Sequence, residues 1–521
     1  MSFTQNKHRE ISPITIKKKL KRNKQKIDKK SKCIELQHIN LNEKEIFTKD
    51  EQEELFKVYL GKCIDIHLLK QILHTTSQYY ISNGYITTKP YLEEQNIQDG
   101  DLDITVIKGT VEKIINKDTN KSDGRIATAF AFQKGEVLNI RDLDTALEMI
   151  NRVPSYHSKF QIIPGHKKGQ SIIMIETKKE TPYHLSLGVL GEKQDYDDNP
   201  YLNADFSLDN PFNINDILTV RINGSSIQQY YQSTTGAEIA YSFPIASYLI
   251  SYRWFEFQYS QHVIGLNDSY LANGDTIGSN LKISKVLHRN QRNKVETAFS
   301  LEYKNNKNYF ENQLIDVSSY KTTLAQLDLI YNHFDSWGES RTILSYYRGT
   351  NWLGARDDSY YINNTNDEKL QFNKFSLDEN FVYNFTHSYQ LISNLHLQYT
   401  KDLLYDNNKL RVGSYYTVRG YSSSYYGNNA YYIHNDLQKT FYPNQSQAYL
   451  QTISPFFGLD YGKVQCEKNT LYSCGSLAGY GVGIKTNAKN ISSEFALSRA
   501  IKRKENQGFE TLFRYSLTFK Y

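Results

Sequence analysis

Phe513-Arg514-Tyr515-Ser516-Leu517-Thr518-Phe519-Lys520-Tyr521 ends the chain. Phe513, Tyr515, Leu517, Phe519 and Tyr521 alternate with Arg514, Ser516, Thr518 and Lys520. Side chains of a strand point alternately to opposite faces, so this period of two makes one apolar face and one wet face. Ending on an aromatic within a strand suits a barrel, whose last strand pairs with its first, and suits a soluble protein less, because free termini fray.

The same pattern recurs upstream. Tyr183, Leu185, Leu187 and Val189 alternate with polar or small residues, as do Leu218, Val220 and Ile222, then Ile239, Tyr241 and Phe243, then Leu395, Leu397 and Tyr399. From residue 182 onward helical periodicity is gone. Residues 182–521, at about 21 residues per strand and connection, make about 16 strands. The composition agrees with this reading. Tyr is 42 and Phe 25 against Trp 3, the mean hydropathy is -0.62, and no apolar run is long enough for a membrane helix. A transmembrane barrel hides its apolar content in alternation.

Residues 33–181 read differently. Ile34, Leu36 and Ile39 suggest a short strand, Glu51–Leu60 a helix, and Leu68 to Ile81 a second helix stopped at Gly84. Tyr85–Thr88 begins a strand that Pro90 closes, Asp99-Gly100 signals a hairpin turn, and Leu102–Ile107 is a strand. The pattern repeats with a strand at Val111–Ile115, a helix at Asp142–Ile150 and strands at Phe160–Ile162 and Ser171–Ile175. Two small α+β modules follow, at 33–110 and 111–181, before the barrel at 182–521.

Residues 1–32 carry Lys17-Lys18-Lys19, Arg22, Lys24, Lys26, Lys29 and Lys30, and contribute much of the net charge of +6. No recognition module adjoins this run, so it reads as a basic linker and no nucleic-acid partner is expected. It has no apolar core of a secretory signal. The cysteines fall in two sequence-local pairs, Cys33/Cys63 and Cys466/Cys474, which suggests two disulfides and an oxidising compartment. No C-x-x-C and no zinc spacing of His is present, and no G-x-S-x-G. No metal, no cofactor and no catalytic residue is expected.

One stretch remains. Val418-Arg419-Gly420-Tyr421 lies in a segment rich in Tyr, Ser, Gly and Asn. Two α+β modules ahead of a barrel, with this VRGY late in the barrel, resemble the outer-membrane transporters of bacterial two-partner secretion, the haemolysin secretion/activation proteins. In the first module, Cys33 and Cys63 stand where many members carry a cysteine pair, and Tyr80 to Thr88 resembles the family's YI-x-x-GY-x-T segment. In the second, Leu147–Asn151, Val153-Pro154 and Pro164-Gly165 match the family pattern. Asn435-Asp436-Leu437 resembles the family's NEL, and Asp460-Tyr461-Gly462-Lys463-Val464 its barrel-wall motif, although Gly458 stands where an aromatic is usual.

The resemblance implies two periplasmic α+β POTRA domains followed by a 16-stranded antiparallel transmembrane β-barrel in the outer membrane. It implies that the VRGY loop folds into the lumen, where Arg419 meets Asp460, with Gly462 beside it. Gly420 would permit a tight turn, and Phe519 and Tyr521 would form a C-terminal barrel signal. It implies a large β-helical exoprotein with an N-terminal secretion domain as partner, such as a haemolysin, adhesin or contact-dependent inhibition toxin. Outer-membrane lipid and the barrel-assembly machinery are the other partners it implies. The alternative it leaves is an assembly factor of the same superfamily that inserts other barrels.

Overall fold

The computed structural model describes residues 33–521 apart from 133, 193–199, 226–231, 266–267, 361–367, 444–448, 467–473, 505–507 and 510. The basic run at 1–32, read above as a linker, lies outside the described residues.

The first module runs β1 (His38–Leu41), α1 (Lys49–Phe56), α2 (Ile66–Ser82), β2 (Lys89–Tyr91) and β3 (Asp101–Ile107). Thr48 starts α1 with a capping box, its side chain accepting from Glu51 N–H while the Glu51 carboxylate takes the Thr48 N–H. α2 stops where Gly84 takes a φ of +94°, and the Tyr85 N–H reaches back to the Tyr80 carbonyl at 2.8 Å. Leu36, Phe47, Ile72, Leu102 and Ile104 form the core. Three local expectations fail here. Tyr85–Thr88 begins no strand but makes a turn, the Thr88 N–H closing on the Tyr85 carbonyl at 3.1 Å. Pro90 lies inside β2 and does not end it, because β2 is an edge strand whose missing N–H costs no ladder bond. Asp99-Gly100 is no two-residue hairpin, because β3 runs parallel to β1 and its antiparallel partner β2 lies across a longer loop.

The second module runs β4 (Thr110–Asn116), α3 (Gly124–Ala129), α4 (Ile140–Asn151), β5 (Tyr156–Pro164) and β6 (Gln170–Lys179). β4 lies parallel and β5 antiparallel to the central β6. Val111, Leu138, Leu143, Val153 and Ile173 fill the core under α4. The six-residue α3 has too short an apolar period to be read from sequence, and it depends on its cap. Asp123 accepts from the Ile126 N–H at 3.1 Å, the Arg125 guanidinium at 2.7 Å and the Asn116 amide at 3.2 Å. Burial alone would raise the Asp123 carboxyl, but these donors hold it below the usual carboxylate range. A depressed folded pKa stabilises above the unfolded value and loses that contribution as pH falls through the folded one. Asp123→Ala is therefore expected to cost about 1 kcal/mol locally at neutral pH. Hydrogen exchange on the full chain should show faster exchange at Ile126 and Ala127 for Asp123→Ala, with the difference from wild type shrinking on acidification below the carboxylate range.

The second module binds the first barrel turn directly. The Ser155 N–H donates to Asp209 Oδ2 at 2.8 Å, the Asn215 amide to the Arg125 carbonyl at 2.7 Å, and Arg152 to the Asn215 carbonyl.

The barrel strands are β7 (Tyr183–Glu192), β8 (Tyr201–Asp209), β9 (Ile217–Ser225), β10 (Gln232–Ile245), β11 (Tyr248–Ile264), β12 (Ser269–Arg289), β13 (Asn293–Phe310) and β14 (Tyr320–Asp335). They continue with β15 (Gly338–Thr350), β16 (Asn373–Asn384), β17 (Tyr389–Thr400), β18 (Ala430–Lys439), β19 (Leu450–Val464), β20 (Gly475–Ala488), β21 (Ile491–Ala500) and β22 (Thr511–Lys520). Among the described residues these sixteen form one closed antiparallel ring, sealed where β22 pairs with β7 and Leu517 faces Val189. Tyr521 and Leu185 exchange both backbone hydrogen bonds at the seam, at 2.8 and 3.1 Å.

Burial runs opposite to that of a soluble protein. Phe513 is 51% exposed and Phe519 49%, while Arg514 between them and inside the ring is 7% exposed. On β19, Phe457, Leu459 and Tyr461 point out and Asp460 points in. A continuous apolar exterior around a polar interior is stable only in lipid. No described helix is long and apolar enough to cross a membrane. Among the described residues each strand of the ring is hydrogen-bonded to a neighbour on both sides, so the ring has no edge strand.

Candidate functional site: a loop seated in the barrel lumen

Residues 401–429 connect β17 to β18. The connection first makes a short antiparallel ladder, Leu410–Val412 against Tyr425–Gly427. Its tip, between these limbs, turns into the ring at Gly413, where φ is +116°, and the Thr417 hydroxyl oxygen ties the turn by accepting the Gly413 and Ser414 N–H groups at 3.0 Å each. Val418 is fully buried among Val412, Val464, Leu477 and Ala500.

Arg419 is the largest fully buried side chain among the described residues. Its guanidinium meets Asp460 of β19 in a bidentate fork, Nε to Oδ2 at 2.7 Å and Nη2 to Oδ1 at 2.8 Å. Its own backbone N–H adds a third bond to Asp460 Oδ2 at 3.1 Å. Nη1 reaches Asp436 of β18 at 2.7 Å, and Nη2 the Asn435 carbonyl at 2.8 Å. Lys485 of β20 bonds the other oxygen of Asp436 at 3.0 Å, and His434 Nδ1 lies 3.2 Å from Asp460 Oδ1. Two carboxylates thus face an arginine and a lysine, and the buried charges cancel without relying on the histidine. Cancellation with every polar group bonded is what makes a buried charge tolerable.

Space for this cluster comes from glycines. A Cβ at Gly458 would fall 1.9 Å from Arg419 Nη2, and one at Gly479 1.8 Å from the Arg419 carbonyl oxygen. Gly462 gives Val412 and Val418 room. The aromatic company of the guanidinium comes from elsewhere, from the rings of Tyr415 and Phe456 at 5.8 and 5.9 Å. This accounts for a glycine at 458, because a side chain there would displace the arginine. Gly420 takes a φ of +88° and packs directly on the backbone of Arg499 and Ala500. The Tyr421 hydroxyl lies 2.6 Å from the Lys502 carbonyl oxygen and accepts from the Ala478 N–H at 3.1 Å.

A second contact holds the tip near its start. Tyr415 donates to Glu494, whose other partner is Arg514 at 2.9 Å, and Arg514 stacks on Tyr415 at 4.1 Å.

Val418, Arg419, Gly420, Tyr421, Asp460 and Gly462 therefore sit together inside the ring. Asp436, Gly458, Gly479 and Lys485 complete the seat and were not singled out as site residues from sequence. The signal for Asp436 was its place in Asn435-Asp436-Leu437, which carried no geometry. Phe519 and Tyr521 lie at the seam, away from the loop. Cys33 and Cys63 are joined in the first module, and Cys466 and Cys474 between β19 and β20. Closing that nine-residue loop is worth roughly 2.5 kcal/mol in the chain-entropy model. Cys466→Ser/Cys474→Ser is expected to make this loop more readily cut by protease added outside intact cells, with the barrel itself unchanged. Among the described residues no group of His, Cys, Asp or Glu is arranged to hold a metal ion.

Comparison with known proteins gives a consistent result. The family described as haemolysin secretion/activation protein ShlB/FhaC/HecB matches residues 169–486, a ShlB-type POTRA domain matches 34–109, and a further POTRA domain matches 110–164. The outer membrane transporter CdiB of Dickeya dadantii is 27% identical over 466 residues, covering 89% of this chain and 82% of that one. The hemolysin transporter protein HpmB of Proteus mirabilis is 26% identical over 445 residues, covering 84% and 77%. The solved structure of CdiB from Escherichia coli has a TM-score of 0.87 at 24% identity, covering 98% of this chain and 93% of that one, which speaks to the fold.

Proposed function

The chain belongs to the ShlB/FhaC/HecB family of haemolysin secretion/activation proteins, and on that premise we propose how its loop governs export. It is an outer-membrane translocator of two-partner secretion, with its POTRA domains in the periplasm. The cargo we assign is one large β-helical exoprotein carrying an N-terminal secretion domain. The relatives are transporters named for contact-dependent inhibition and for haemolysin, which supports an adhesin, haemolysin or inhibition toxin as that cargo. The chain has no catalytic role in this reading; outer-membrane lipid surrounds the apolar face, and the barrel-assembly machinery inserts it.

The observation that carries the mechanism is the Arg419–Asp460 fork on a rigid wall strand. A loop packed in the lumen occupies the route, so it must yield for a chain to pass. A neutral ion-pair cluster whose guanidinium and two carboxylates are all hydrogen-bonded favours one loop position strongly and has no graded intermediate, because partial withdrawal strands buried charges. The closed state is therefore stable at rest, and release is all-or-none. Binding of the exoprotein to the POTRA domains supplies the encounter, as an extended segment added to an exposed strand edge. Folding of the cargo outside gives direction without a nucleotide.

The test is delivery. Cells expressing the chain with the large exoprotein encoded beside it should display that exoprotein at the surface, and cells lacking the chain should retain it in the periplasm. Equal display in both would end the translocator reading for that cargo. Depletion of unrelated outer-membrane barrels on loss of the chain would instead favour an assembly factor.

A further inference from the structure

The outer face of the wall behind the loop carries cations. Lys463 follows Tyr461 on the lipid-facing side of β19, and Arg499 follows Leu497 on that side of β21. Lys502, just past β21, rests its ammonium on the Ser476 hydroxyl, and Ser476 is the register partner of Lys463. Arg503 is the next residue, and all four side chains are exposed. Among the described residues none of the four has a carboxylate within ion-pair distance. Their level follows from the topology. β7 leaves the second POTRA domain and pairs with the end of β22, so the last residues of β19 and β21 lie at the opposite, outward rim.

Unpaired cations on the apolar side of a barrel are costly in hydrocarbon and are tolerated at an interface where anionic headgroups meet them. We propose that Lys463, Arg499, Lys502 and Arg503 bind the phosphates of a phosphorylated glycolipid in the outward leaflet. The spacing favours one polyvalent headgroup. The cations span β19 to β21, two strand spacings or about 10 Å, which is wider than a single phosphate reaches with short contacts. A sugar headgroup bearing two phosphates covers it.

The site has a second face. The main chain of the same residues forms the loop's seat, since Tyr421 bonds the Lys502 carbonyl and Gly420 packs on the backbone of Arg499. Lipid bound outside thus immobilises the wall against which the loop rests inside. The proposal needs only the barrel's place in the outer membrane, so it stands or falls separately from the identity of the cargo.

Native mass spectrometry of the full chain, released from bilayers of defined composition, tests it. With diphosphoryl lipid A present, wild type should retain one glycolipid, and Lys463→Gln/Arg499→Gln/Lys502→Gln/Arg503→Gln should retain at least tenfold less. Heat-modified mobility on gels confirms that the variant barrel is folded; if it is not, Lys463→Gln/Lys502→Gln alone should lower retention several-fold. Unchanged retention in the folded variant would overturn the proposal. Equal retention of dephosphorylated lipid A, or of phosphatidylglycerol, would overturn it as well, the latter by assigning the cations to any lipid phosphate.

Discussion

Arg419→Ala is expected to abolish surface delivery of the cargo while leaving an inserted ring of strands, because export in this reading needs the loop to return to one fixed seat as well as to leave it. The strand ladder does not involve the Arg419 side chain, so the ring and its heat-modified mobility should persist. The loop is another matter. Without the guanidinium, Asp460 and Asp436 remain buried with Lys485 as their counter-charge and, for Asp460, His434 and the N–H groups of residues 419 and 435 as neighbours. Breaking a buried pair by removing one partner costs about 3–5 kcal/mol, which moves the loop's seating equilibrium by about two to three and a half powers of ten. Single-channel recordings should show a raised open probability, and blotting of intact cells should show no exoprotein. Arg419→Lys should recover little, because an ammonium is a point charge and cannot fork onto Asp460 while reaching Asp436. Wild-type delivery by the alanine variant, in a folded barrel, would remove Arg419 from the mechanism.

Gly420→Ala comes close to the same defect by a steric route. Its Cβ would lie 2.1 Å from the Arg499 carbonyl carbon and 2.2 Å from the Ala500 nitrogen, both main-chain atoms of a wall strand that cannot swing aside. To this is added the left-handed φ of +88°, which costs a residue with a Cβ about 1–2 kcal/mol. Overpacking adds roughly 1–3 kcal/mol, so unseating by about 3 kcal/mol, near a hundredfold, is expected. Gly354→Ala is the control. It has a φ of +74° but no atom within 4 Å of the new carbon, so it bears the dihedral cost alone and should secrete normally. In the double variant with Arg419→Ala the two effects should not add, because one loop cannot be unseated twice. Additive gains in open probability would mean that Gly420 acts elsewhere.

How far the fold can be read from sequence depends on which interactions are local. Phe513 to Tyr521 show their faces because a membrane barrel keeps its period of two wherever lipid and lumen oppose each other. The count of strands follows from length once that is seen. Pro90 misleads because whether a strand is central or at an edge is a property of the sheet, absent from the strand's own residues. α3 escapes because its stability comes from Asp123 and the barrel turn packed on it, and its own six residues have no period to detect. In the site, Arg419 and Asp460 are visible through their motifs, forty-one positions apart. The glycines at 458 and 479 are legible only afterwards. A glycine in a strand ordinarily reads as weakness, and only the buried arginine lying across the strand shows why a side chain is excluded.

Those glycines bear on how the pore can widen. The wall under the loop is bare backbone at Gly458, Gly479 and Gly481, shaped to the guanidinium and the main chain of the loop as a mould is to its casting. Withdrawing the loop would leave a trough with no side chains to slump into it, while the hydrogen-bonded perimeter of sixteen strands stays constant. Such a channel gains its cross-section like a cylinder losing a piston and has no need to dilate like an iris. The strain of opening then falls on one connection between two strands and leaves the seal with the membrane intact.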